Sequence, residues 1–213
     1  MVEYLNLKGL SVNLSTSKKE IMKREIILAS KSPRRKQLLR HLKFKFKTYE
    51  SNIDEKKYRF GYPSLIVKRL SYLKAKAVSK FVKNKIIIGC DTIVVLGRGN
   101  KRKIISKPKN KKDAIKILLT LSGTTHYVYT GVTIIDQNRK KILVDYEKSR
   151  VKLRRLSLKE IKQIAGKHLD KAGAYAIQEN NDRFVENLEG SYTNVVGFPV
   201  ERFKEMIKHL EVC

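Results

Sequence analysis

Residues 26–39 of the chain have the sequence IILASKSPRRKQLL. A short apolar run stops at a serine-rich turn, and Ser32 stands directly before Pro33. This order is typical of a helix start, because a serine hydroxyl caps the first free N–H groups and proline fits the first helical position. The stretch therefore predicts a strand, a tight loop and a helix that ends near His41.

The first turn of this helix carries Arg34 and Arg35. The N-terminus of a helix is partly positive, so two cations there need a negative partner. Guanidinium groups match phosphate oxygens in pairs, and the hydroxyls of Ser30 and Ser32 together with free backbone N–H groups would complete a site for a polyphosphate. A solvated helix start on a very basic protein is the alternative that these residues alone leave open.

The formal net charge is +28, from 48 Lys and Arg against 20 Asp and Glu. Such a charge attracts any polyanion, so nucleic-acid binding is one hypothesis. The cations are spread over the whole chain, however, aromatic residues make up 8% of it, and there is no Trp for base stacking. We interpret the charge as mostly background and expect no specific nucleic-acid partner.

The length of 213 residues favours one domain, which we place at 25–213 behind an N-terminal extension at 1–24. No apolar run approaches the ~18 residues needed to span a bilayer, and the first 25 residues lack the apolar centre of a secretory signal. The two cysteines cannot form a metal cluster or a disulfide framework. We therefore expect a protein of the cytoplasm without a membrane partner.

The spacing of apolar residues predicts two elements in the middle of the chain. Apolar residues at three- and four-residue spacing predict an amphipathic helix over 64–82, with Lys74 on its polar face. The run 86–96 predicts a buried strand with one acid, Asp91, in it. A buried carboxylate is costly unless it meets a cation or donors, so Asp91 is either a paired structural charge or a functional residue, and we favour the second.

The remaining elements are predicted by alternation and by cap residues. They are strands at 44–49, 103–105, 125–135 and 142–153, a helix at 111–121, and a capping box at Ser157 that opens a further helix. We expect His126 to be a structural residue. Glu55 on residue type alone belongs to an exposed turn, and the cations Arg98, Lys101 and Arg102 of the predicted hairpin turn have no evident role.

Several motifs, in order, resemble those of the Maf proteins, which are nucleoside triphosphate pyrophosphatases. The matches are Ser30–Arg35 followed by two leucines, Arg69–Ala75, Cys90–Thr92 with Cys in place of the usual Ala, Ser106–Pro108, the run Leu121–Val132, and the last block from Asp170 to Pro199. The resemblance covers the chain from Ile26 to its C-terminal helix. Ala176 and Glu179 depart from the family pattern, which usually has Gly at both places.

The resemblance implies an α/β fold with a long twisted mixed sheet and two lobes around a central cleft, as in the Maf and inosine-triphosphate pyrophosphatase group. It implies attack of water on the α-phosphorus of a nucleoside triphosphate. Ser30, Arg34, Arg35, Lys74 and Lys107 become candidate phosphate ligands. Glu55 and Asp91 become candidate ligands of a divalent cation, Mg²⁺ or Mn²⁺, with Asp91 as either the general base or the acid that positions a metal-bound water.

Arg34, Thr92 and Gln178 resemble the residues of the family branch that prefers dTTP and UTP, and a Gln amide can pair with the donor-acceptor edge of a pyrimidine. The sequence therefore predicts a dTTP/UTP pyrophosphatase. The alternatives are hydrolysis of another modified nucleotide such as 7-methyl-GTP, and a cell-division regulator that acts on septum formation by binding a partner. The sequence leaves a homodimer open as an alternative to a monomer.

Overall fold

Within residues 24–177 and 184–210, which the computed structural model describes, seven strands form one mixed sheet. The strands are β1 (Ile26–Ala29), β2 (Phe46–Thr48), β3 (Ile86–Leu96), β4 (Lys103–Ile105), β5 (Thr125–Asp136), β6 (Lys141–Leu153) and β7 (Val185–Glu189). The helices are α1 (Pro33–His41), α2 (Pro63–Ser79), α3 (Lys111–Leu121), α4 (Leu158–Ile164), α5 (Tyr192–Val196) and α6 (Val200–His209), with 3₁₀ turns at Glu55–Tyr58 and Gly99–Lys101. The predicted extension lies outside the described residues except for Arg24, which pairs with Asp136 of β5.

The strands lie in the order β2-β1-β3-β5-β6-β7. The pairs β2–β1 and β1–β3 are parallel, whereas β3, β5, β6 and β7 pair antiparallel. One edge of β3 pairs with β5 along its whole length. On the other edge β1 stops opposite Gly89 and β4 pairs from Val94 onward, so residues 90–93 have no strand partner there. This gap lies at the carboxyl end of β1, where ligands commonly bind in sheets with parallel strands.

The two faces of the sheet are packed differently. On one face lie two separate cores: the first contains Ile88, Phe198 and Phe203, and the second contains Val128 and Leu118. The opposite face is covered by α2, which packs on alternate residues of β1 and β3. The predicted α/β fold with a mixed sheet is confirmed.

Two glycines let α2 lie directly on the sheet. A Cβ at Gly131 would stand 2.1 Å from the carbonyl oxygen of Val67, and one at Gly89 would stand 2.2 Å from that of Ser71. Gly131 is the cross-strand neighbour of Asp91. Close approach of the helix at this point therefore brings the side chains of α2 to the acid on β3.

We expect Gly131→Ala to lower the free energy of unfolding by about 3 kcal/mol, because the added methyl group meets backbone that cannot rotate away. Urea unfolding monitored by circular dichroism measures this. Gly61→Ala is the control, since its Cβ would meet no atom within 4 Å and only the positive φ of +96° opposes it. Equal losses for the two variants would contradict the close contact between α2 and β5.

Most predicted elements are confirmed, several at the predicted residues. The first helix ends at His41, β3 spans residues 86–96, and Ser157 forms the predicted capping box with Glu160. The predicted side-chain cap by Ser32 is wrong. Ser32 is the N-cap residue of α1 without a capping hydrogen bond, and its own N–H donates to the Ser30 hydroxyl at 3.2 Å. None of the described helices is long and apolar enough to cross a membrane.

Candidate active site

A cavity of about 450 Å³ opens at the gap beside β3. Because side chains alternate along a strand, Asp91 lies on the face covered by α2, whereas Thr92 lies on the face that carries the two cores. Both residues line the cavity, together with the start of α1. The unpaired edge of β3 thus lets one cavity reach residues from both faces of the sheet.

Lys74 joins two acids in this cavity. Its Nζ lies 2.6 Å from Asp91 Oδ1 and 2.7 Å from Glu55 Oε1. Arg59, one helical turn after Glu55, donates to Glu55 Oε2 at 2.6 Å. Lys74 is 8% exposed and Asp91 is 3% exposed, so these charges are held mainly by one another and not by water.

The cations control the charge of Glu55. Burial raises the pKa of Glu55, but the charges and hydrogen bonds of Lys74 and Arg59 outweigh burial and lower the pKa to about 2. Glu55 is therefore ionised throughout the physiological range. Asp91 Oδ2 is buried and has no hydrogen-bond partner among the described residues. It is a free acceptor beside an ammonium group.

The lowered pKa predicts how Glu55 contributes to stability. Its ordinary pKa is 4.5, so its contribution should be complete above about pH 4.5 and should disappear as the pH falls towards 2. We expect Glu55→Gln to be less stable than the wild type by about 1–2 kcal/mol at pH 7, after allowance for screening of a side chain that is 33% exposed. Urea titrations of both proteins between pH 7 and 2.5 should show this difference closing below pH 4.5. A difference that stays constant with pH would contradict the ion cluster.

Arg35 is fixed by three protein groups. It donates to the carbonyl of Gly197 at 2.8 Å and to the hydroxyls of Ser30 and Thr92, both at 3.0 Å. Thr92 in turn contacts the Thr130 hydroxyl at 3.0 Å. Arg35 therefore connects α1, β3 and the C-terminal end of α5, and its guanidinium is held rigidly at the wall of the cavity.

Arg34 points to a different partner. It donates to the Val196 carbonyl at 3.3 Å and forms an ion pair of 2.7 Å with Asp170. Burial raises the pKa of Asp170, but the charges and hydrogen bonds of Arg34 and Lys171 together outweigh burial and lower the pKa. Lys107 also lines the cavity, and removal from water is the main cause that lowers its pKa; Glu55 and Asp91 raise this pKa, whereas Arg35 and Lys74 lower it.

Part of the cavity wall is apolar. It is formed by Val94, Val128, Tyr175, Ile177 and Val195. The Tyr175 hydroxyl lies 2.7 Å from His126 Nε2, and burial lowers the pKa of His126 to about 4, so this histidine is neutral. His126 supports the wall from behind, as predicted for a structural residue.

The chain is similar to proteins of one known family. A family model described as Maf-like protein matches residues 25–210. The chain belongs to the Maf family. A relative from Elusimicrobium minutum (strain Pei191), named dTTP/UTP pyrophosphatase, is 45% identical over 184 residues, which is 86% of this chain and 97% of the relative. A relative of the same name from Dictyoglomus thermophilum is 41% identical over 192 residues, which is 89% of this chain and 97% of the relative.

A solved structure shows the same fold. The Staphylococcus aureus Ham1 protein superposes with a TM-score of 0.51, covering 88% of this chain and 100% of that chain. Their sequences are 14% identical, so the likeness concerns the fold alone. The Maf family chain described here thus shares its architecture with a protein that is distant in sequence.

The Maf motifs predicted from the sequence converge in space. Eight of the predicted site residues line the cavity: Ser30, Arg34, Arg35, Glu55, Lys74, Asp91, Thr92 and Lys107. The ninth, Gln178, lies outside the described residues. The sequence reasoning missed Arg59, Asp170 and Tyr175. Arg59 had a usable signal, since it stands four residues after Glu55 in a short helical turn, and Asp170 and Tyr175 lie in the last block that resembles the family.

The Maf resemblance implies a divalent cation, and the residues present fit one. Among the described residues, no group of three or more His, Cys, Asp or Glu side chains could hold a metal ion. Glu55 and Asp91 nevertheless lie close enough to share the Lys74 ammonium group, and Asp91 Oδ2 still lacks a partner among the described residues. Mg²⁺ in nucleotide sites takes one or two carboxylates and completes its shell with water and phosphate oxygens. The pair suits an ion that arrives with a triphosphate.

Proposed function

We propose that this chain is a dTTP/UTP pyrophosphatase, which hydrolyses these nucleotides to the monophosphate and pyrophosphate. The observation that carries the proposal is the cluster of Asp91, Lys74 and Glu55 in a cavity that also holds the arginines of α1. Relatives named for this activity are 45% and 41% identical to the chain over most of its length. Attack of water on the α-phosphorus would release pyrophosphate as the leaving group.

The cations would bind the triphosphate. Arg34, Arg35, Lys74 and Lys107 are four positive side chains that line the cavity, and the Ser30 hydroxyl accepts a hydrogen bond from Arg35. Negative charge spreads over several oxygens during phosphoryl transfer, and fixed cations stabilise it without reorganising. Burial lowers the pKa of Lys107, and the negative charge of an incoming triphosphate would stabilise its protonated form.

Asp91 would act on the attacking water. Its Oδ1 is bound to Lys74, which fixes the carboxylate, while Oδ2 is left free to accept a proton. Glu55 and Asp91 would also hold Mg²⁺ or Mn²⁺ with the phosphates, and such an ion would neutralise charge on the phosphoryl oxygens. Lys74 contacts both carboxylates and its charge lowers the pKa of Glu55.

The nucleobase would lie against the apolar wall at Val94, Val128 and Tyr175. Thr92, Arg34 and Gln178 are the residues that resemble the dTTP/UTP branch, and we assign pyrimidine preference to them. Thr92 is already oriented by Arg35 and Thr130, so its hydroxyl presents a fixed polar group at the wall.

The test is pyrophosphate release from a panel of dTTP, UTP, dCTP, ATP and 7-methyl-GTP with Mg²⁺ present. We expect dTTP and UTP to have the highest kcat/KM and pyrophosphate, not orthophosphate, to be the product. Thr92→Ala should reduce the preference for dTTP over ATP more than it reduces the turnover of ATP. A wild-type protein that releases pyrophosphate from neither dTTP nor UTP would overturn the proposal.

We also propose that the protein works in the cytoplasm. Among the described residues the one cysteine is Cys90, which is free and fully buried, and burial raises the pKa of its thiol to about 11. Such a thiol is protonated and unreactive, and a free cysteine of this kind is compatible with a reducing compartment.

A further inference from the structure

The cations of the hairpin turn between β3 and β4 are not part of the cavity. Arg98 and Arg102 flank the short turn Gly99–Lys101. Arg98 lies over the ring of Tyr127, 5.6 Å from its centroid, and donates to the Tyr127 hydroxyl at 2.7 Å. Arg102 lies over the ring of Tyr62 at 4.5 Å. Both arginines therefore pack against aromatic rings, of which Tyr62 is exposed and Tyr127 is buried.

Further residues extend this arrangement. Lys148 of β6 lies 4.5 Å from the Tyr127 centroid, and Arg69 of α2 lies 4.4 Å from the centroid of Phe60. We name these residues the hairpin surface: Phe60, Tyr62, Arg98, Arg102, Tyr127 and Lys148. The surface is continuous, since Phe60 and Tyr62 are two residues apart and both arginines flank one turn.

Charge on the hairpin surface is not neutralised. In the described part of the chain, Arg98, Arg102 and Lys148 make no ion pair with a carboxylate, whereas on the adjoining strands Arg150 pairs with Glu189 and Lys152 pairs with Glu186. With 48 basic and 20 acidic residues, unpaired cations alone would not distinguish a surface. The exposed aromatic rings beside these cations distinguish the hairpin surface from the rest of the described chain.

Two of those rings are open to solvent. Phe60 is 61% exposed and Tyr62 is 63% exposed, and each has an arginine over it. Large exposed aromatic rings are unfavourable in water and are common in binding surfaces. Proteins that bind single strands combine cations for the backbone with aromatic rings on which bases stack.

We propose that the hairpin surface binds single-stranded nucleic acid without base specificity, independently of the nucleotide cavity. The cations match a phosphate backbone, and the exposed rings match unpaired bases, which a duplex would hide. A second copy of this chain is a poor occupant, because two molecules of charge +28 repel one another.

The experiment measures fluorescence anisotropy with a labelled 20-nucleotide oligo(dA) over a range of salt concentrations. Oligo(dA) carries no triphosphate and no pyrimidine, so it does not resemble the proposed substrate. The surface variant is Arg98→Ala/Arg102→Ala/Lys148→Ala. The control is Lys112→Ala/Lys116→Ala/Lys159→Ala, which also removes three exposed cations, from α3 and α4. dTTP turnover should be the same in both variants as in the wild type.

We expect the surface variant to bind at least tenfold more weakly at 0.1 M salt, and the slope of log K against log salt concentration to be shallower by about 2, at roughly 0.7 per lost phosphate contact. The control should retain both values. Tyr62→Leu should weaken oligo(dA) binding several-fold without changing the slope. Equal losses in the two triple variants, or no effect of Tyr62→Leu, would overturn the proposal. So would a surface variant that loses binding to phosphatidylglycerol vesicles while keeping oligo(dA) binding.

Discussion

Asp91→Asn should lower kcat for dTTP about 10³-fold with little change in KM. The amide keeps the shape of the side chain and can still accept a hydrogen bond from Lys74, but it cannot take a proton from water. Since general base catalysis contributes roughly 10²–10⁴-fold, loss of the base alone accounts for this decrease. Initial rates of pyrophosphate release in the presence of Mg²⁺ measure it.

Asp145→Asn is the matched control for this substitution. Asp145 lies on β6 and pairs with Lys68 and Arg202, away from the cavity lining. It should retain wild-type turnover. Circular dichroism should show that Asp91→Asn is folded at the assay temperature. A folded Asp91→Asn protein with more than a tenth of the wild-type kcat would rule out Asp91 as the base.

Lys74→Met should have the second largest effect. Methionine fills nearly the same volume, but it leaves Glu55 and Asp91 without the ammonium group between them. Two neighbouring carboxylates cannot both stay ionised at low cost, so one of their pKa values should rise. We expect kcat/KM for dTTP to fall about 10²–10³-fold, because a phosphate ligand and the charged state of the acids are lost together.

Lys76→Met controls for the loss of one cation from the same helix. Lys76 is exposed and lies over the ring of Tyr72, 5.4 Å from its centroid, away from the cavity lining. It should keep wild-type activity. The pH profile separates two explanations for Lys74→Met: a raised carboxylate pKa moves the acidic limb of kcat/KM upward, whereas a loss of phosphate binding alone lowers the whole profile. Wild-type activity in Lys74→Met would contradict the assigned role of Lys74.

The sequence predicted those parts of the fold that local patterns control. The strand at 86–96 and the helix at 111–121 appear at their predicted bounds because long apolar runs and clear caps leave few alternatives. The strand predicted at 44–49 is shorter, at Phe46–Thr48, since an edge strand next to β1 pairs only where β1 itself is extended. The predicted cap at Ser32 is also absent. The hydroxyl that is used at this turn is that of Ser30, which accepts hydrogen bonds from the Ser32 N–H and from Arg35.

The site was predicted as a set of residues but not as an arrangement. Residue types and motifs selected Glu55, Lys74 and Asp91, yet nothing in their spacing shows that Lys74 lies between the two acids. That contact depends on the glycines that let α2 approach the sheet, and such close approaches join residues far apart in the chain. Asp170 was missed for the same reason, since Arg34 reaches it across 136 residues.

At the unpaired edge of β3, the consecutive residues Asp91 and Thr92 have different roles. Asp91 faces α2 and would serve hydrolysis, while Thr92 faces the apolar wall and would serve recognition of the base. Insertion of one residue just before Asp91 would turn both side chains to the opposite faces and remove both roles together. A substitution at Thr92, in contrast, would leave Asp91 on its face and alter only the contacts of Thr92 with Arg35, Thr130 and the base.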